Sequence, residues 1–469
     1  MAQSWFAAHA TLLKGRSKLA RLLVLLACVG LVSYSAVGCQ SFLDDVDANS
    51  QQAPLEDDGH PPDDDGPLRD GSPSNGEESS EGVAEQEAGA EEAERPADEA
   101  GDAWADAEGP LVIRSGGTYS GSWVSLDPSV AAVTVLTDEP VVIENARIWS
   151  MGIHISAPRR YLVDVTIRNV VGEAIPHSTR RTYPGRFLHV ERYRSVTVEN
   201  SAMIGTSGIY LHNSEPGATV KILRNRAINV DGRRSDGAGG HDGFHRVQFV
   251  QFNLGVDLVD TEVAWNEVIN HPYESRVEDV ISLFRTRGRA DDPVRIHNNF
   301  IWGAYPADPA VERYSGGGIM LGDGGGAYLH AYENTVVNTS NYGIAISGGH
   351  DNVIRDNRVV SCGLLPDGRS IASQNVGIYI WNQYRSSFHS NVGHDNVVAW
   401  ARPDGKREDW WVPDASDWTG NVAKHAGRAV SCDVESAERA EWEAKVSTEG
   451  IVVGPISGAP FAASRAALD

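Results

Sequence analysis

The side chains able to do chemistry gather in a few stretches of this chain. Residues 237–246 read GAGGHDGFHR and bring His241, Asp242, His245 and Arg246 together beside four glycines. Residues 271–279 read HPYESRVED and supply Tyr273, Arg276, Glu278 and Asp279, followed by Arg285 and Arg287. Asp323 stands alone among glycines at 322–326. A fourth stretch, 172–192, carries His177, Arg180, Arg181, Tyr183 and Arg186. Carboxylates, imidazoles and phenols exchange protons with a reacting oxygen or carbon, and arginines neutralise an anion. His241, Asp242, His245, Glu278, Asp279 and Arg285 are therefore the candidate catalytic set. Arg246, Tyr273, Arg276, Arg287 and Asp323 are the candidate binding set. The plain alternative is an end-of-strand ion pair at Asp279 and Arg285, with ordinary turn chemistry at Asp323.

What must position these groups is a repeat. The phrase Gly-Ile-x-apolar occurs at Gly152, Gly208, Gly318, Gly343 and Gly377. An Asn just ahead of apolar residues recurs at Asn145, Asn169, Asn200, Asn225, Asn266, Asn299, Asn334, Asn357 and Asn396. The closest of these steps are 23 to 25 residues, with the register drifting by one residue between some copies. Short alternating apolar runs between Gly and Asn are strand-like, and a period of this size marks a stack of coils. Longer steps read as the same coil with an inserted loop. Such a coil cannot bury its own apolar face, so Ile, Val and Leu must form a column by stacking. The repeated Asn serve either as an amide ladder or as residues tolerant of a left-handed turn. Within 278–285, Asp279 and Arg285 share strand parity with Ile281 and Leu283, and Glu278 shares it with Ser282.

The pattern resembles the right-handed parallel β-helix repeats of the pectate-lyase-like superfamily over about residues 111–422. The resemblance implies an all-β fold, a right-handed parallel β-helix at 110–430, with a C-terminal cap or tail at 431–469. Residues 435–446 suit a helix in that cap. The superfamily includes many carbohydrate-active proteins, so the implied activity is polysaccharide binding and cleavage of lyase or glycoside hydrolase type. The other class it allows is a non-catalytic adhesin or structural glycan-binding protein. Elimination from a uronide needs Arg246, Arg285, Arg287 or Ca²⁺ to neutralise the sugar carboxylate, with His241, His245 or Tyr273 moving the proton. Hydrolysis needs two carboxylates across the bond, drawn from Asp242, Glu278, Asp279 and Asp323. No HExxH-type spacing occurs, which argues against zinc. His350-Asp351 reads as a turn. Trp400, Trp410, Trp411 and Trp418 read as cover for the column end, or as platforms for sugar rings. The regular stretch 318–361 reads as scaffold, and the irregular coils between 172 and 292 as the functional region.

The front of the chain is a different material. Lys14, Arg16, Lys18 and Arg21 precede an apolar run at 22–38, as in a signal peptide. Ala36-Val37-Gly38-Cys39 resembles a bacterial lipobox, which implies a signal at 1–39, a lipid-modified Cys39 and a cell-envelope location. Gln40 after the Cys points to the outer membrane or cell surface. Residues 40–109 hold 23 acidic residues against two arginines, and read as a disordered acidic linker. Much of the net charge of -24 lies there. The body beyond it has 41 acidic and 34 basic residues, so no basic field points to nucleic acid. A monomer with a polysaccharide substrate and a lipid anchor is expected. Cys362 and Cys432 are the cysteines left in the body, and in an exported chain they can pair or stay as separate thiols.

Overall fold

In the computed structural model the described residues are 103–176, 179–385 and 387–456. The signal segment, Cys39, the linker up to residue 102 and His177 lie outside them. The body is a parallel β-helix. Its strands fall into a 13-stranded sheet, a 20-stranded sheet and one two-stranded hairpin among the described residues. All pairings within the two large sheets are parallel. The 20-stranded sheet is two ladders joined through the long strands Val141–Ser150 and Val163–Ala174. The chain begins to pair at Glu108, which bridges Trp123.

Register turns the repeat into columns. On the 13-stranded sheet, Val133, Ile155, Leu188, Ile209, Val250, Ile281, Ile319, Ile344 and Ile378 stack in successive strands, and all are fully buried. Burying one such side chain stabilises by about 1.5–3 kcal/mol, and the column repeats that gain per coil. Gly318, Gly343 and Gly377 lie beside these isoleucines. A Cβ on Gly343 would stand 2.2 Å from Val359 Cγ1, and one on Gly318 2.8 Å from Val336 Cγ1. These glycines are there because the opposite wall of the coil leaves no room for a side chain.

The repeated asparagines do both jobs open to them, at adjacent positions. Asn145, Asn169 and Asn200 have φ of 49°, 56° and 45°, as do the later residues Arg224, Trp265, Asn298, Glu333, Asp356 and Asp395 at φ 53–58°. One residue further on, Asn225, Asn266, Asn299, Asn334, Asn357, Asn396 and Asn421 form a ladder. Each side-chain amide donates to the next Asn Oδ1 at 2.8–3.0 Å. The one-residue drift in the sequence is this change of position, from the left-handed corner to the ladder.

The column end is closed by tryptophans. Trp410 and Trp418 rest on the core and on each other, with centroids 5.6 Å apart, and Trp400 is fully buried. Gly393 makes room, since a Cβ there would meet the Trp418 ring at 2.2 Å. The C-terminal helix, Asp433–Thr448, carries Asp433 and Glu435 in its first turn and Lys445 in its last, which suits the helix dipole. It lies against the side of the stack. Val434 and Trp442 cover Phe300, Val337, Val360 and Ala399, the outward residues of one ladder. Cys362 and Cys432 form a disulfide that pins the helix start. Glu438, fully buried, is held by Arg358 and Lys424. The tail then runs back along the stack: Asn200 donates to Val452 O, Gly454 N to Arg224 O, and Ile456 N to Asn169 Oδ1.

Candidate active site: an acid cluster on the outer face of the 13-stranded sheet

The outward positions of the 13-stranded sheet form a stripe. Tyr210, Gln251, Ser282, Met320, Ala345, Tyr379 and Trp411 succeed one another across it. A second outward row runs His212, Asn253, Phe284, Asp323. At about 4.8 Å per strand the stripe is about 30 Å long, room for several sugar rings.

Asp279 enters this face from the corner just before the strand Ile281–Arg287. Its Oδ1 accepts from the Tyr342 hydroxyl and from Gly317 N at 3.2 Å. Tyr342 packs with Met320 and Ala345, both outward residues. The parity drawn from the sequence, which put Asp279 with the inward Ile281, fails because the strand starts two residues after it. It fails at Arg285 as well. That residue has φ 46°, the strand is irregular from Ser282 to Thr286, and its exposed guanidinium lies 5.1 Å from the Phe284 ring.

Glu278 is buried beside Asp279. It takes hydrogen bonds from Ser315 Oγ at 2.6 Å and from the buried Arg276 at 3.3 Å, with the half-exposed Arg246 at 4.0 Å. Arg276 is sandwiched between the Phe244 ring at 3.1 Å and the Tyr314 ring at 5.5 Å. Tyr314 in turn donates to the Val277 and Glu278 carbonyls. Asp323 accepts from the Tyr384 hydroxyl and stays partly open to solvent.

Burial and like charge set the electrostatics. Desolvation lifts the Asp279 carboxyl well above the usual range, the Glu278 and Asp323 carboxylates lift it further, and the Tyr342 hydrogen bond only partly opposes them. Desolvation also raises Asp323, with Tyr384, Arg246 and Arg285 pulling it back. The phenols of Tyr314, Tyr342, Tyr379 and Tyr384 are all pushed up, first by burial and then by these carboxylates. The cluster therefore holds two carboxyls, Asp279 and Asp323, biased towards the protonated form and phenols biased further towards the neutral form, with arginines at its open side.

The sequence-derived set divides here. Glu278, Asp279, Asp323, Arg246, Arg276 and Arg285 come together. His241 and Asp242 do not join them. They sit on an exposed hairpin of Arg233–Ser235 with His241–Phe244, where His241 faces Arg233, Asp231 and Asp236, and Asp242 lies 4.0 Å from Arg180. His245 stacks on Tyr183 at 4.4 Å, and burial with nearby Arg186 and Arg234 lowers its pKa to about 4. Tyr273 bonds Arg369 at 2.6 Å, and Arg287 bonds Asp257 at 2.8 Å. Proximity in sequence misled in these cases, because a coil carries residues a few positions apart around a corner.

Tyr314, Ser315, Tyr342, Tyr379 and Tyr384 belong to the cluster and were missed. They come from later coils, and Tyr342 from the stretch 318–361 read as scaffold apart from Asp323. The one signal, at Tyr342 and Tyr379, is a phenol in a strand otherwise built from small and aliphatic residues. A second group shares the face. Glu191 accepts from His212 Nδ1 at 3.0 Å and from His189 at 2.5 Å, and these two imidazoles hold its carboxyl well below the usual range.

The acid cluster does not fit calcium. Ca²⁺ is held by six to eight oxygens with ionised carboxylates among them. Here two of the three carboxyls are biased to the neutral form, and Arg246, Arg276 and Arg285 stand beside them. Compared with known proteins, the chain matches no family model, no curated protein and no solved structure.

Proposed function

We propose that this chain binds an acidic polysaccharide along the outer face of the 13-stranded sheet and hydrolyses it at the acid cluster. One observation carries the reading: Asp323 and Asp279, both biased towards the protonated acid, share a site with Glu278 and with arginines that reach solvent. Asp323, the more open of the two, gives its proton to the leaving glycosidic oxygen. Glu278, between Ser315 and the two guanidiniums, takes the proton of the attacking water. Glycoside hydrolysis requires one carboxyl that gives a proton and a second that takes one, the roles assigned here to Asp323 and Glu278. Asp279, bonded to Tyr342 and to Gly317 N, holds the corner that carries Glu278. Arg246 and Arg285 take the substrate's carboxylates. Hydrolysis is favoured over elimination because the phenols that would serve as base are held in the neutral form.

The chain is further proposed to work at a bacterial cell envelope, tethered through a lipid on Cys39. The Cys362–Cys432 disulfide supports export, since such bonds persist in oxidising compartments. The resemblance to the pectate-lyase-like superfamily supports the carbohydrate reading.

The test of the activity is a panel of polyuronides and neutral glycans, followed by reducing ends and by the ultraviolet absorbance of unsaturated ends. Reducing ends without unsaturation are expected from a polyuronide. Unsaturated products would replace hydrolysis by elimination. Binding without either product would reduce the face to a glycan-binding surface.

A further inference from the structure

We propose that His350, Asp351 and His389 form a surface site for a first-row divalent transition metal of the zinc type. The site lies apart from the acid cluster and does not depend on its function.

Two strands of only two residues, Gly349–His350 and Phe388–His389, pair in parallel so that His350 stands directly against His389. Their rings stack with centroids 4.6 Å apart at 14°. Asp351 turns out of the strand with φ 54° and brings its Oδ2 to 2.6 Å from His350 Nδ1. One ligand atom from each of the three residues lies within 4.8 Å of the others. Metal–nitrogen and metal–carboxylate bonds of about 2.0–2.2 Å let two ligands of one ion stand up to about 4 Å apart. A small rotation of the exposed His389 ring therefore closes the set.

The donors choose the ion. Two imidazoles and one carboxylate suit zinc, nickel or copper, whereas calcium and magnesium take oxygen ligands. Three protein ligands leave a coordination position open. His350 also lines a cavity of about 420 Å³ with Tyr328, Arg287 and Arg289, which gives that position room for water or a small anion. Arg287 and Arg289 are already paired with Asp257 and Asp291, so a bound cation would leave the cavity net positive.

The place also suits a clip. Most strands of the 13-stranded sheet are three residues or longer, but here each strand supplies only two residues to the ladder. A metal bridging His350 and His389 ties adjacent coils at that weak point. The site escapes an in-chain motif search because its histidines meet only when coils stack.

The test uses the full-length chain purified without a histidine tag and titrated with zinc against a chromophoric chelator. Wild type is expected to take up one ion at this site and to unfold at a higher temperature with zinc than without. His389→Ala and Asp351→Asn should each weaken that ion by more than about tenfold, the loss that removing even a ligand's supporting partner can cause. Asn keeps the left-handed turn while removing the charge, so Asp351→Asn separates ligation from folding. Equal zinc affinity in wild type and both variants overturns the proposal. So does a wild type that takes up no zinc in excess metal.

Discussion

Asp279 and Asp323 show how neighbouring carboxyls of one type acquire different uses. Asp279 is closed in by Tyr342 and Gly317, whereas Asp323 keeps a path to solvent beside Tyr384. Only the second can hand a proton to a substrate. Asp323→Asn should therefore lower turnover by about 10²-fold or more with little change in KM, the usual weight of a general acid. Steady-state kinetics on the responsive glycan checks this, and wild-type turnover in the variant would refute the assignment. A different carboxyl contributes to the pH dependence of stability. Glu435, buried under the helix start, accepts from Cys362 N at 2.6 Å and from Asn338 at 3.3 Å, yet burial raises it from 4.5 to about 7. Between those values the unfolded chain releases the proton and the folded chain keeps it. The contribution of Glu435 to stability is thus greatest below pH 4.5 and falls as pH rises to about 7, by about 3 kcal/mol at most. Glu435→Gln should flatten that part of the profile, measured by denaturant unfolding across the range.

At the scale of elements, the ladder is the part most exposed to a single change. Asn334 donates to Asn357 Oδ1 and to Ile296 O, and its own Oδ1 accepts both the backbone and the side-chain amide of Asn299. Asn334→Ala strands those buried donors and should cost about 2–4 kcal/mol in unfolding free energy. Hydrogen exchange should show the loosening in the coils on either side and little beyond, because a solenoid couples nearest neighbours. The strands, the columns and the ladder were legible in the sequence, since Gly-Ile-x-apolar and Asn recur with the coil. The site was only half legible. Glu278 and Asp279 stand out as adjacent acids, but their partners Ser315 and Tyr342 lie in later coils and share no motif with them. Parity carried the outward face correctly through Ser282 and failed at Asp279, where the chain is still turning the corner. The helix was foreseen at 435–446, but its resting place against the ladder's outer side was not, because Trp442 and Val434 show only that some apolar surface awaits them.

At the scale of the whole chain, the proposed lipid tether has a direct test. Mass spectrometry of the mature N-terminus should find an acylated Cys39, and an unmodified N-terminus at another residue would remove the tether. The body has its own order of assembly. Three early coils, at Asn169, Asn200 and Arg224, are bonded by the last described residues, Val452 to Ile456. A ribosome delivers the N-terminal coils first, and in a plain stack they could lock as they emerge. Here their outer edge stays unsealed until residues 452–456 have been made. The proposed export through a translocation pore gains from that delay, because the segment that fastens these coils is made long after them.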